Sequence, residues 1–353
     1  MLTLIEASRF PNLPWKRFVV SQAEKATHGL EDWHLQACIA QAQCLISRIT
    51  SDIARAESSL DLLDTSRLST TTDKRIHLAG EQIAIQRSLN CIQVEELSAA
   101  KTWLENLGCR DPRPSPMKTM ILFRREMLLG RVFRFQGEFS QSLVHLERAR
   151  QKVEEQQDLI FDEDLRDLTC DLADTLRELD QPAIGERHLR TEIARQDQEH
   201  ASTRKSSLLE LSLAEMLFGQ GRFNEAEELC LDVQSRPTLL RFEKLRLHIT
   251  LAKIYHINSD YERASAQWAQ AMVAVSKFPN ESGATRIIVM SVCDILARQK
   301  APGQDNPLLD QSLTTLDSLG KLAKPDGVRC WIAGLRHWVE SLQSRDASIR
   351  RLS

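Results

Sequence analysis

The densest run of groups that could do chemistry is "DEDLRDLTCDLAD", which holds Asp162, Glu163, Asp164, Asp167, Asp171 and Asp174. Carboxylates three and four residues apart share one face of a helix. Such a face could hold Mg²⁺ through oxygen ligands, which would make the chain an all-α metal-dependent enzyme. Two observations weigh against that. Acidic residues at the start of a helix are already favoured by its dipole. A cavity that guides a reactive cation also wants many aromatic side chains, whereas this chain is 5% aromatic with two tyrosines.

Other candidates are thinner. His34 and Cys38 lie four apart in "WHLQAC", with His28 and Cys44 nearby. Zinc needs four ligands, or three and an open position, so this reads as a half-buried histidine beside a core thiol. "RREMLLGRVFR" offers Arg124, Arg125, Arg131 and Arg134. A nucleic-acid surface would continue that stripe onto neighbouring elements, but the next segment is acidic. Trp15, Trp33, Trp103, Trp268, Trp331 and Trp338 stand at helical spacing from other apolar residues and are expected in the core. There is no phosphate-binding glycine loop, no dinucleotide fingerprint, no nucleophile elbow and no H-E-x-x-H. The expectation is therefore no catalytic residue, no metal and no cofactor.

Bulk properties agree. The 353 residues are 42% hydrophobic and 27% charged, with a net charge of -3. That is a globular composition with no electrostatic pull toward nucleic acid or an anionic membrane. The first twenty residues carry Glu6, Pro11 and Pro14 and do not read as a secretory signal. No window approaches 18 uncharged apolar residues. The eight cysteines include no C-x-x-C pair, and they read as reduced core thiols. A cytoplasmic or nuclear protein is expected.

The elements that carry these residues read as all-α. Apolar residues recur at three- and four-residue spacing in "HLQACIAQAQCLISRI", "EQIAIQRSLNCIQVEEL", "LLELSLAEMLF" and "VRCWIAGLRHWVESL". The breaks are "STTTD", "GCRDPRPSPMK", "KAPGQDNP" and "LAKPDG". Within the helical text a phase repeats. "LLGRVFRFQGEFSQSLVHLERA", from Leu128, aligns with "LSLAEMLFGQGRFNEAEELCLDV" and with "ITLAKIYHINSDYERASAQWAQA". "TCDLADTLRELDQPAIGERHLRTEI" is a weaker copy. The small residue of the first helix falls at Gly130, Ala173, Ala214 and Ala252, at spacings of 43, 41 and 38. A looser copy at Ser88 precedes them by 42 residues, and the phase blurs after Lys277. The helix pairs should turn near Gly137, Asp180, Gly221 and Ser259. Phe139, Phe223 and Tyr261 align two residues after these turns, and Ala226 and Ala264 align further on as repeat positions.

The motif L-G-x-x-F, then G-x-F, then A-x-x-x-W-x-x-A resembles the tetratricopeptide repeat (TPR) family. The resemblance implies an all-α, right-handed solenoid of antiparallel helix pairs. Two departures stand out. The period exceeds the usual ~34 residues, and Glu126, Glu210 and His248 stand where the family has tryptophan. On this reading residues 1–115 are a helical region of degenerate repeats, 117–280 the TPR-like repeats and 281–353 a helical cap.

The resemblance also implies function: a non-enzymatic scaffold that takes a protein or peptide partner in a concave groove, with no role for nucleic acid or membrane. The groove stripe implied by the family comprises Arg124, Asp167, Leu208 and Arg246, then Arg131, Asp174, Glu215 and Lys253, then Arg134, Arg177, Phe218 and His256. Its mixed signs depart from the uniformly basic clamp of chaperone-binding TPR domains. Pairing of Arg131 with Asp174 and of Glu215 with Lys253 would leave it nearly neutral. The long period is similar to TPR proteins of filamentous fungi, some of them encoded in secondary-metabolite gene clusters of the maleidride and oryzine type.

Overall fold

The structure, a computed structural model, describes residues 13–50, 52–63, 66, 68, 72–107, 115–155, 160–199, 207–237 and 239–275, with 288, 291, 292 and 295 beyond them. The C-terminal cap expected over 281–353, including the helix "VRCWIAGLRHWVESL", lies outside the described residues apart from those four positions. The described residues form thirteen helices and no strand. They fall into two compact units, the described part of 1–132 with 148–160, and 133–147 with the described part of the chain from 161.

The first unit contains α1 (Leu13–Thr27), α2 (Trp33–Ile49), α3 (Ile53–Asp61), α4 (Lys74–Gln93) and α5 (Leu97–Glu105). Aspartate opens three of these helices. Asp32, Asp52 and Asp73 accept from the backbone N–H of Leu35, Arg55 and Arg75 at 3.1, 3.1 and 2.9 Å. Each satisfies a donor that the first helical turn leaves unpaired. Trp33, Cys44, Ala56 and Leu60 form the core under α2, α3 and α4. Across it, Arg48 donates to the Asn90 and Gln86 side-chain oxygens at 3.0 and 2.7 Å, Asn90 donates to Glu57 at 2.6 Å, and Arg87 bridges Glu57 and Asp61. Of the tryptophans expected in the core, Trp33 and Trp268 are buried. Trp15 and Trp103 are not: they are 44% and 41% exposed. Trp103 instead receives the Arg87 guanidinium over its ring, 5.5 Å from the centroid.

Helix α6 (Pro116–Phe135) begins in the first unit and ends in the second, and α7 (Phe139–Glu155) follows it. The second unit continues with α8 (Asp162–Glu178), α9 (Pro182–Glu199), α10 (Ser207–Gly219), α11 (Phe223–Gln234), α12 (Arg241–Ile257) and α13 (Tyr261–Val275). Each first helix packs on its own partner: α8 on α9, α10 on α11, α12 on α13. It also packs on the first helix of the next pair, α8 on α10 and α10 on α12.

One turn is used throughout. The residue seven positions after each small packing residue is left-handed: Glu95 (φ 58°), Gly137 (76°), Asp180 (63°), Gly221 (74°) and Ser259 (62°). At each, the N–H of the following residue reaches back to a carbonyl five residues earlier. Glu138 bonds Phe133 at 2.8 Å, Gln181 bonds Leu176 at 2.8 Å, Arg222 bonds Leu217 at 2.9 Å, and Asp260 bonds Tyr255 at 2.9 Å. The left-handed residue itself bonds a carbonyl three back, as Gly221 does to Phe218 at 3.0 Å. This is the Schellman closure, and it explains why glycine suits Gly137 and Gly221. Glu95, Asp180 and Ser259 bear the left-handed strain that a Cβ brings, about 1–2 kcal/mol. Ser259→Gly is therefore expected to raise stability by about 1 kcal/mol. Gly221→Ala should lower it by a similar amount, because its Cβ would meet nothing within 4 Å and only the backbone resists. Urea midpoints of both variants check this, and shifts of the same sign would contradict it.

The small residues make the close packing. Ala173, Ala214, Ala252, Ala226 and Ala264 are fully buried, and Gly130 is buried on α6. Gly185 of α9 sits against Ala173, so that an added Cβ would lie 3.3 Å from the Ala173 Cα and 3.0 Å from the Met216 Sδ. Ser142 takes the place of Ala226 in its repeat and shares a 3.0 Å hydrogen bond with the Thr175 hydroxyl. Ala214→Leu is expected to overpack α10 and cost about 1–3 kcal/mol. A melting temperature equal to that of the unmutated chain would count against this packing.

Candidate functional site

The side chains just beside the packing alanines carry charge, and in the second unit they meet. Arg134, at the end of α6, donates to Asp171 of α8 at 3.1 Å and stands 3.9 Å from Asp174. Arg177, one turn on from Asp174, lies 3.6 Å from it and pairs with Glu215 of α10 and Glu178. Arg246 of α12 closes the set. Its Nε donates to Glu215 at 2.6 Å, and its Nη2 donates to Asp174 at 2.7 Å. Four successive first helices thus contribute alternating charges to one ladder, whose members are between 5% and 20% exposed.

Burial and pairing act on these groups in opposite directions. Burial pushes the Glu215 carboxyl up, but Arg246 and Arg177 outweigh it and hold it at about 2. Burial disfavours the Arg246 charge, and Asp174 and Glu215 more than restore it, so Arg246 stays protonated throughout. Lys253 of α12 faces Glu215 too, yet burial dominates and brings it down to about 8. Cys170 of α8, beside Ser212 and Arg246, is pushed up to about 12 by burial and is an inert thiol. A lysine whose folded pKa lies below its unfolded value binds fewer protons when folded between the two, so its contribution to stability rises with pH across that window. Lys253→Met is therefore expected to exceed the unmutated chain in stability below about pH 8. The difference should shrink between about pH 8 and the ordinary lysine value of 10.5. Urea midpoints at both ends of that range measure it; a constant difference would contradict the assignment.

The remaining sequence candidates are placed as follows. Arg124 and Arg131 are half-buried on α6, in the first unit. Asp167 pairs with its neighbour Arg166 at 2.7 Å, and Leu208 packs partly buried against the core. Phe218 stacks at a tilt on Phe223, with centroids 5.3 Å apart. His256 is fully buried, edge-on to Tyr261 at 5.8 Å. Asp171 also belongs to the ladder, although it falls outside the implied groove stripe. The acidic run is divided among several arginines: Asp162 goes to Arg195, Asp167 to Arg166, and Asp171 and Asp174 share Arg134, with Asp174 also on Arg246. Among the described residues no group of three or more His, Cys, Asp or Glu side chains is arranged to hold a metal ion, the neighbourhood of His34 and Cys38 included. None of the described helices is long and apolar enough to cross a membrane.

No protein-family model and no curated protein matches the chain. Solved structures do. A Rap protein complexed with competence and sporulation factor superposes with a TM-score of 0.62 at 12% identity, over 99% of this chain and 94% of that one. A tetratricopeptide repeat protein from Parabacteroides merdae superposes with a TM-score of 0.50 at 16% identity, over 82% of this chain and 98% of that one. The fold is TPR-like.

Proposed function

We propose that the chain is a non-enzymatic TPR-like adaptor that holds a protein or peptide segment along the ladder face of the second unit. The observation that carries this reading is the ladder itself. A buried ion pair is a poor way to gain stability, since apolar residues of similar volume serve as well or better. Four helices nonetheless place alternating charges there. Such a face offers hydrogen-bonding atoms of both signs to an extended segment, with Phe218 beside it as an apolar anchor. Because Arg134, Arg177 and Arg246 are already committed to carboxylates, an acidic chaperone-type tail is not the expected ligand. The pairing of Asp162, Asp167, Asp171 and Asp174 with arginines supports a non-catalytic role, and Mg²⁺ is expected to leave the melting temperature unchanged. The mixed charge of the chain likewise supports neither nucleic acid nor membrane as partner. The resemblance to long-period fungal TPR proteins supports an accessory role in a secondary-metabolite pathway.

The test is a charge-swapped pair, Arg177→Glu with Glu215→Arg, which keeps this one pair opposite but turns like charges toward Asp174, Glu178 and Arg246, so circular dichroism must first show an unchanged fold. Pulldowns from the native source should recover a partner with the unmutated chain and lose it with the swapped chain at equal folding. A partner retained at full strength would place binding elsewhere.

A further inference from the structure

A second site, independent of the ladder, lies in the first unit. Helices α1, α2 and α3 enclose a cavity of about 580 Å³, within the range of small-molecule sites. Its donors and acceptors are unequally committed. The two acidic side chains on its wall each accept one hydrogen bond, Glu24 from the Gln43 amide and Asp52 from the Arg55 backbone N–H, and they balance the charge of the two arginines that also line it. Thr50, Ser58 and Ser59 donate their hydroxyls to carbonyls of their own helices. Four donors remain. The guanidinium groups of Arg17 and Arg55 and the hydroxyls of Ser21 and Ser47 line the cavity and have no partner among the described residues. Ser47 is only 5% exposed. Its hydroxyl is not sealed from solvent and opens onto the cavity, where it can donate to a molecule held there. The rest of the lining is apolar. Val20 and Ile46 are buried at the wall, whereas Leu62 is 85% exposed at the rim and would be covered by a ligand's body.

We infer that this cavity binds a small organic anion, whose carboxylate or phosphate head takes the free donors of Arg17, Arg55, Ser21 and Ser47 while its apolar part lies on Val20, Ile46 and Leu62. Arginine suits either head group, since its planar fork matches both oxygen arrangements. The site needs nothing from the ladder and stands whether or not a protein partner binds there.

Calorimetric titration of the full chain with hexanoate and with phenyl phosphate tests it, with hexanamide and phenol as the uncharged counterparts. Saturable one-to-one binding of at least one anion is expected, and which one binds identifies the head group. The matching uncharged compound should bind at least tenfold more weakly. Arg17→Gln and Arg55→Gln, both exposed side chains whose loss leaves the fold intact, should each weaken the anion at least tenfold, and Ser47→Ala several-fold. No saturable binding of either anion, equal affinity for the uncharged compound, or an affinity unchanged in either arginine variant would overturn the assignment.

Discussion

Arg246→Ala is expected to destabilise the second unit by about 3–5 kcal/mol, the cost of leaving a buried pair without one partner. The reason lies in what remains. Asp174 and Glu215 are 10% and 19% exposed, and Arg246 hydrogen-bonds to both, with Arg177 against the same two carboxylates. Arg177 still faces Glu215, and Arg134 still stands 3.9 Å from Asp174, but neither replaces the 2.6 and 2.7 Å bonds that are lost. An exposed pair would contribute only about 0–1 kcal/mol, so the size of the effect separates a buried ladder from surface decoration. Urea denaturation followed by circular dichroism measures it, and a loss under about 1 kcal/mol would refute the burial. The pH dependence has a definite sign. Glu215 is held below its ordinary carboxylate value, so its contribution is present above about pH 4.5 and is lost as the pH falls toward 2. In Arg246→Ala that acid-sensitive component should be smaller.

The second large effect is expected at Trp268→Ala, about 3–5 kcal/mol as for other deletions of buried aromatic side chains. Trp268 is fully buried in α13, among Ala214, Leu251 and Ala271 of the second unit's core. Removing the indole opens a cavity that the close-packed alanines around it cannot fill. Trp103→Ala is the control, since that ring is 41% exposed and has the Arg87 guanidinium over it. Its loss should cost about 1 kcal/mol. Equal costs at the two positions would contradict the assignment of Trp268 to the core.

The helix pairs were legible because their signal is local. A small residue, an apolar residue three on and a turn residue seven on all fall within one helix and its end, so Gly130, Ala173, Ala214 and Ala252 mark the phase without knowledge of what touches them. Even Ser88 marks it, with the left-handed Glu95 seven residues later. The charge ladder was less legible because its bonds join residues far apart. Arg246 and Asp174 are 72 positions apart, and nothing in either local pattern names the other. Pairing the residue after each packing alanine with its counterpart in the next repeat does not name Arg246, Arg134 or Arg177, the arginines that the structure sets against Asp174. The helix rise offsets neighbouring first helices, so a side chain reaches its neighbour a turn away from its own equivalent. Asp171 was visible as an acidic residue two before Ala173, but its direction toward Arg134 depends on that offset.

Arg246 also changes how the second unit should come apart. When each repeat touches only its neighbours, unfolding behaves as a one-dimensional chain of coupled spins, and fraying can stop at any junction. A bond from α12 past α10 to α8 adds coupling between second neighbours. Losing the last helix pair would then strip charge compensation from a repeat it does not adjoin, so α8 to α13 should melt as one block. With that bond cut, the block should split into steps that report the repeats separately.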